Sequence, residues 1–239
     1  MTKLLAIDTS GEACSVALSI GDEVLEQFEV MPRLHARKLL PMVQSLLAEA
    51  DITVSALDAI AFGRGPGSFT GLRICAGVVQ GLAFAADVPT LPISSLAALA
   101  QGVNRRHGHE FILPVLDARM DELYWASYRM VDGCACLLGE EQLTAPEALD
   151  LSQTLLSADG HWVSVGDGWK LAEQFPAHIA ANVQHLDESC HVQAGDIIRL
   201  AQRDFLAGLQ VPAEQALPVY LRGKTAWRKV GEQDSNNRA

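Results

Sequence analysis

Gly63-Arg64-Gly65-Pro66-Gly67-Ser68-Phe69-Thr70-Gly71-Leu72-Arg73 decides how this chain is read. An apolar run, Ala59-Ile60-Ala61-Phe62, enters it with the composition of a buried strand, and a long apolar segment, Leu72 to Ala86, leaves it as a helix. Glycine allows positive φ and lets backbone come close to another group. Ser68 or Thr70 can cap the first free amides of the helix. Strand, glycine turn and capped helix start together form an anion pocket. Asp8, Ser10, Gly65, Gly67, Ser68, Thr70 and Gly71 are therefore candidates for binding phosphate or nucleotide. The alternative is a tight turn that needs glycine only for its geometry. The run is not a phosphate loop of the common kind, because no Gly-Lys-Ser/Thr follows. It is not the dinucleotide fingerprint either, because the spacing differs and a proline intrudes.

Outward from this loop the chain divides into two similar halves. Leu4-Leu5-Ala6-Ile7 is a strand buried on both faces, ending at Asp8. Cys14 to Ile20 and Val24 to Val30 are two more strands, joined by a Gly21-Asp22 turn. His35 to Ala50 is a helix with an unusually wide apolar face and Pro41 inside it. A short strand flanked by Pro89 and Pro92 precedes a helix from Ser95 to about Gln101, and Asn104 to His109 reads as a linker. Phe111 to Leu116 is then a strand ending at Asp117, as the first ended at Asp8. Leu123 to Met130 and Cys134 to Leu138 flank an Asp132-Gly133 turn. Pro146 to Leu156 is helical, Val163 to Val165 runs into Gly166-Asp167-Gly168, and Trp169 to Phe175 is a short helix.

The order β-β-β-α-β-α thus occurs twice, the mark of a duplication. The expected fold is α/β, with two lobes around a cleft. Residues 1–106 form an N-terminal lobe completed by a C-terminal helix within 193–221, and 107–192 form the second lobe. The polar, basic segment 222–239 is a tail. Asp8 and Asp117 should face the cleft, since ligands in open α/β sheets sit at strand ends.

Of 239 residues, 49% are hydrophobic and 20% charged, enough apolar material for a real core. No apolar run reads as long and unbroken enough to span a bilayer. The N-terminus lacks a signal-peptide layout, and five cysteines form no disulfide framework. These features point to a soluble, reduced, cytoplasmic protein. Net charge is −11, and residues 1–221 hold 13 basic and 27 acidic side chains, a balance of −14. Such a body repels nucleic-acid phosphates, so any service to RNA needs a partner with a basic surface.

Leu5-Ala6-Ile7-Asp8-Thr9-Ser10, His35-Ala36-Arg37-Lys38-Leu39-Leu40-Pro41, the Gly65-to-Arg73 loop, Val115-Leu116-Asp117-Ala118-Arg119 and Pro218-Val219-Tyr220-Leu221-Arg222 together resemble the bacterial TsaB (YeaZ) family. The resemblance implies the duplicated actin-like (ASKHA, RNase H-like) fold. It also implies a part in making threonylcarbamoyladenosine on the tRNA adenosine beside the anticodon. In that family the protein is a non-catalytic partner of the larger transferase TsaD, with TsaE as an ATPase helper; a homodimer is expected of this chain when TsaD is absent. Metal-bearing relatives carry a His-x-x-x-His pair on the helix after the proline-flanked strand. Here that place holds Ser95 and Leu99, which cannot replace two imidazoles, so neither a metal nor another cofactor is expected.

A scaffold of this kind would use its two apolar helices. The candidate partner surface is His35, Leu39, Leu40, Val43, Leu46 and Leu47 on the first helix, with Leu72, Arg73, Ala76, Gly77 and Gln80 on the second. Gly77 and Gly81 share one face and permit close helix–helix approach. His35 has no second ligand near it and reads as a surface or interface histidine. Cys134-x-Cys136 has the wrong spacing for a redox pair. The competing reading is an ATP-dependent phosphotransferase of the sugar-kinase/actin superfamily using Asp8 and the glycine loop. A peptidase has little support, because no Ser-His-Asp arrangement or zinc motif can be read.

Overall fold

A computed structural model describes residues 1–151, 161–186 and 190–222. Two five-stranded sheets carry the chain, and their strands follow the same order. The first sheet contains β1 (Lys3–Asp8), β2 (Ala13–Ile20), β3 (Glu23–Val30), β4 (Ala59–Gly65) and β5 (Thr90–Ser94), arranged β3-β2-β1-β4-β5. The second contains β6 (Phe111–Arg119), β7 (Glu122–Val131), β8 (Cys134–Thr144), β9 (Trp162–Val165) and β10 (Val183–His185), arranged β8-β7-β6-β9-β10. In each, three antiparallel strands form a meander and two parallel strands extend it. The expected duplication is present as two α/β lobes with the same strand order.

Among the described residues the sheets are covered by α1 (His35–Glu49), α2 (Phe69–Ala86), α3 (Ser95–His107), α4 (Ala177–Asn182) and α5 (Ala194–Leu206). The alternation within β1 explains the layering. Leu5 and Ile7 point to one side, where they join Leu39, Val43, Leu46, Cys75 and Val79 of α1 and α2. Leu4 and Ala6 point to the other, where α3 and α5 lie between the sheets. This middle core is shared: Leu96, Leu99 and Val103 of α3 and Ile197, Ile198 and Ala201 of α5 touch residues of both lobes, among them Ile93 and Tyr128. A third cluster, with Val115, Trp125, Trp162, Phe175 and Ile179, covers the far face of the second sheet.

Several boundaries differ from expectation for identifiable reasons. The supposed linker at Asn104–His109 is mostly the last turn of α3, which runs to His107 and ends on Gly108 at φ +75°. Arg105 there is bound to Asp196 of α5 at 2.8 Å, so its charge serves a helix–helix contact. The helix α2 starts at Phe69, three residues early, because Ser68 caps it. The strand β8 continues past Leu138 to Thr144 through a bulge. The helix expected at Pro146–Leu156 is a 3₁₀ turn at Pro146–Ala148, and its part from 152 onward lies outside the described residues. Trp169–Phe175 lies within a 3₁₀ helix, Asp167–Gln174 and its cap, while α4 and β10 had no clear sequence signal. The tail, apart from Arg222, also lies outside the described residues.

The bilayer reading needs correcting too. The helix α2 has 18 residues and is apolar enough by length and composition to cross a membrane. Its inner face, Leu72, Cys75, Ala76, Val79 and Ala83, is buried against the first sheet.

Candidate functional site

The glycine loop packs directly on the Asp8-Thr9-Ser10 turn at the end of β1. A Cβ at Gly67 would lie 2.4 Å from the Ser10 carbonyl oxygen, and one at Gly71 would lie 1.9 Å from that of Thr9. The Ser68 amide donates to the Ser10 carbonyl at 2.7 Å, the Gly71 amide to Ser68 Oγ at 3.3 Å, and Thr9 Oγ1 to the Gly71 carbonyl at 2.8 Å. Two of the amides that could cradle an anion are thus engaged within the chain. Ser68 and Thr70 are exposed, and Gly65, at φ +103°, turns the chain between β4 and α2.

Asp8 is buried. Its Oδ1 accepts from the amide and hydroxyl of Ser10, both at 2.9 Å. Its Oδ2 has no hydrogen-bond partner among the described residues and presses on Gly63, where a Cβ would lie 1.8 Å away. Burial pushes its pKa up to about 7, against the two Ser10 hydrogen bonds. Asp8, Ser10 and Gly11 line a cavity of about 50 Å³ between the lobes, opposite Leu99, Leu116 and His191. Ligand pockets usually run to roughly 300–1,000 Å³, so this one has no room for a nucleotide as it stands.

Asp117, the counterpart of Asp8, has a different environment. Its carboxylate meets Arg119 Nη1 at 2.7 Å and Lys170 Nζ at 2.5 Å. Burial works to raise its pKa, but the Lys170 bond, the Arg119 amide and both cations outweigh it and hold the group below its ordinary value. Asp117 is consumed by ion pairs at a strand end. Among the described residues no three His, Cys, Asp or Glu side chains gather as metal ligands.

Much of the expected partner surface belongs to the core instead. Leu39, Val43, Leu46 and Leu47 face the first sheet and are buried, as are Leu72 and Ala76. His35 is also buried, its Nε2 3.1 Å from the Ala13 carbonyl oxygen, so it is not a surface histidine. Apart from Ala76, whose edge lines the groove described next, these cannot meet a partner in this conformation. Leu40 on α1 and Arg73 and Gly77 on α2 are exposed, and Gln80 is half-buried. The close packing expected at Gly77 and Gly81 does not occur among the described residues, none of which places an atom within 4 Å of where either Cβ would stand. Phe84, one turn on, is 78% exposed.

Beside this face runs a groove of about 360 Å³, lined by Arg73, Ala76, Gly77 and Gln80 of α2 and by Leu217, Pro218 and Tyr220. The Arg73 guanidinium lies 3.8 Å over the Phe69 ring and donates to Tyr220 Oη at 3.2 Å. Gln80 Nε2 donates to the Ala216 carbonyl at 3.1 Å. Phe69 and Tyr220 stood inside quoted motifs, but nothing local in the sequence brings together residues so far apart.

Residues 23–228 match the family model described as TsaD, tRNA N6-adenosine threonylcarbamoyltransferase. The Escherichia coli tRNA threonylcarbamoyladenosine biosynthesis protein TsaB is 40% identical over 95% of this chain and 98% of its own. The chain belongs to the TsaB family. The Haemophilus influenzae TsaB is 37% identical over 95% of this chain and 96% of its own. The solved structure of YeaZ from Pseudomonas aeruginosa superposes with a TM-score of 0.86 at 48% identity, covering 92% of this chain and all of that one.

Proposed function

We propose that this chain is a non-catalytic subunit in the formation of threonylcarbamoyladenosine on tRNA, acting by docking on the TsaD transferase, with TsaE joining the assembly. The observation that carries the reading is the solvent exposure of the outer face of α2 around Gly77, Gly81 and Phe84. Gly77, Gly81 and Phe84 are exposed on an almost wholly apolar helix, with Leu34, just before α1, and Leu40 on it exposed as well. Two glycines with open space above them admit a helix backbone at short range. Specific interfaces bury about 800 Å² per partner, and two helices with the adjoining groove offer a face of that order. The same face would pair two copies of the chain when TsaD is absent. A body with a balance of −14 outside its tail favours tRNA contact through the partner. Absence of catalysis is supported by Ser95 and Leu99 at the positions of the metal-binding histidines.

The test is co-purification with TsaD followed by modification of tRNA with and without this chain. Phe84→Asp and Gly77→Asp should abolish association and modification while the chain stays folded, and retained association would reject the reading. One observation favours a nucleotide-dependent alternative: the unpartnered Asp8 oxygen in the cleft. Calorimetry with ATP and magnesium on the isolated protein separates the two, and turnover without partners would favour the phosphotransferase.

A further inference from the structure

Three irregularities in the sheets meet where the lobes touch. In β4, Gly63 pairs with Ile93 and Gly65 with Ser94, so Arg64 between them has no partner on β5. In β8, Gly139-Glu140-Glu141 stand opposite Ala126 alone, and Gly139 has φ +88°. In β6, Ala118 is skipped between Asp117 and Arg119. Bulges of this kind re-aim side chains. Here the first two aim opposite charges at each other across the seam. Arg64 Nη2 lies 3.0 Å from Glu141 Oε2, and the Glu141 side chain is 7% exposed. Glu141 Oε1 also accepts from Ser94 Oγ, which caps α3, and from Tyr128 Oη at 3.4 Å. Burial, chiefly, and the neighbouring Glu141 push the Tyr128 hydroxyl up, so it remains a donor.

The segment Ala216–Arg222 fastens to the same bulges. The Val219 amide donates to the Arg64 carbonyl at 2.8 Å. Arg222 donates to the carbonyls of Ala118 and Arg119 at 3.1 and 3.3 Å and pairs with Glu122 at 2.5 Å. This segment therefore crosses from one wall of the α2 groove, over the Arg64 bulge, to the second lobe.

We infer that the Arg64–Glu141 pair is an inter-lobe latch. It holds the lobes closed over Asp8 and, through the Val219 and Arg222 contacts, fixes the groove beside α2 in the shape that receives a partner. The inference rests on the docking role proposed above for its functional meaning, but the latch itself is a property of the isolated chain. Opening the cleft separates Arg64 from Glu141 and pulls on the Ala216–Arg222 segment, so cleft width and groove shape change together.

Hydrogen exchange followed by mass spectrometry on the full chain tests this. Glu141→Gln removes the charge pair and should speed exchange at least tenfold at Val219–Arg222 and at Asp8–Gly11, neither of which lies on the substituted strand. A single substitution leaves Arg64 without its charge partner, so Arg64→Met/Glu141→Leu is the second variant. It should recover most of the lost thermal stability yet keep the faster exchange at both places. Acceleration confined to β8 in both variants would overturn the latch. With TsaD added, both variants should bind at least fivefold more weakly. Unchanged affinity alongside accelerated exchange would overturn the link between latch and groove. Phe84→Asp is the separate control: it should weaken TsaD binding without altering exchange at the seam. Its failure to weaken binding would reject the docking role and leave the exchange result to decide the latch.

Discussion

Asp8 couples the stability of the fold to pH. Its carboxyl has a pKa of about 7 when folded against an ordinary value of 3.8, through burial. Below about pH 4 both states are protonated and its stabilising contribution is complete. Between about 4 and 7 the unfolded chain releases the proton while the folded chain keeps it, so stability falls as pH rises and levels off above 7. Asp8→Asn should remove this fall. The thermal midpoint of the variant should gain on the parent between pH 5 and pH 8, and parallel curves would refute the assignment. Gly71 gives a second test. A Cβ there meets a carbonyl oxygen at 1.9 Å, and neither backbone can yield cheaply. Gly71→Ala should lower stability by about 1–3 kcal/mol, measured by urea unfolding. The sequence pattern predicted a tight glycine turn but not its reason, because the Asp8-Thr9-Ser10 turn it packs on lies some sixty residues away.

At the scale of elements, α1 and α2 show what periodicity can and cannot say. It correctly grouped Leu39, Val43, Leu46 and Leu47 on one stripe. Which layer that stripe faces depends on the sheet, so residues assigned to a partner proved to be core. Two neighbours on α1 should therefore behave oppositely. Leu39→Asp should unfold the chain, since it buries a charge among apolar groups. Leu40→Asp should leave the melting curve nearly unchanged, as expected for a side chain 44% exposed. On α2, Gly77→Ala and Gly81→Ala should each stabilise the isolated chain by about 1 kcal/mol from helix propensity, because open space surrounds both. Titration of TsaD against the same variants should show weaker binding, since the added methyl groups stand where a partner helix would approach. The bulge in β8 was illegible for another reason: extra residues in a strand are visible only against the register of the strand beside it.

At the scale of the whole molecule, the duplication was readable because each half repeats the same turn and strand-end signals, Asp8 with Asp117 and Gly21-Asp22 with Asp132-Gly133. The sharing of a core between the halves was not, because α3 and α5 contribute to it from positions distant in the chain. That core predicts that the lobes unfold together. Trp125 and Trp162 report on the second lobe, while far-ultraviolet dichroism reports on both. Urea titrations followed by the two signals should give one midpoint, and separated midpoints would indicate lobes that fold independently. The position of α5 also bears on how the polypeptide is made. The inner face of the first sheet is covered by α3, which follows β5 directly, and by Ala194–Leu206, the last long helix described. A ribosome adding roughly 5–20 residues per second leaves the part under α5 bare for on the order of ten seconds, an interval in which apolar surface is open to chaperones and to neighbouring nascent chains.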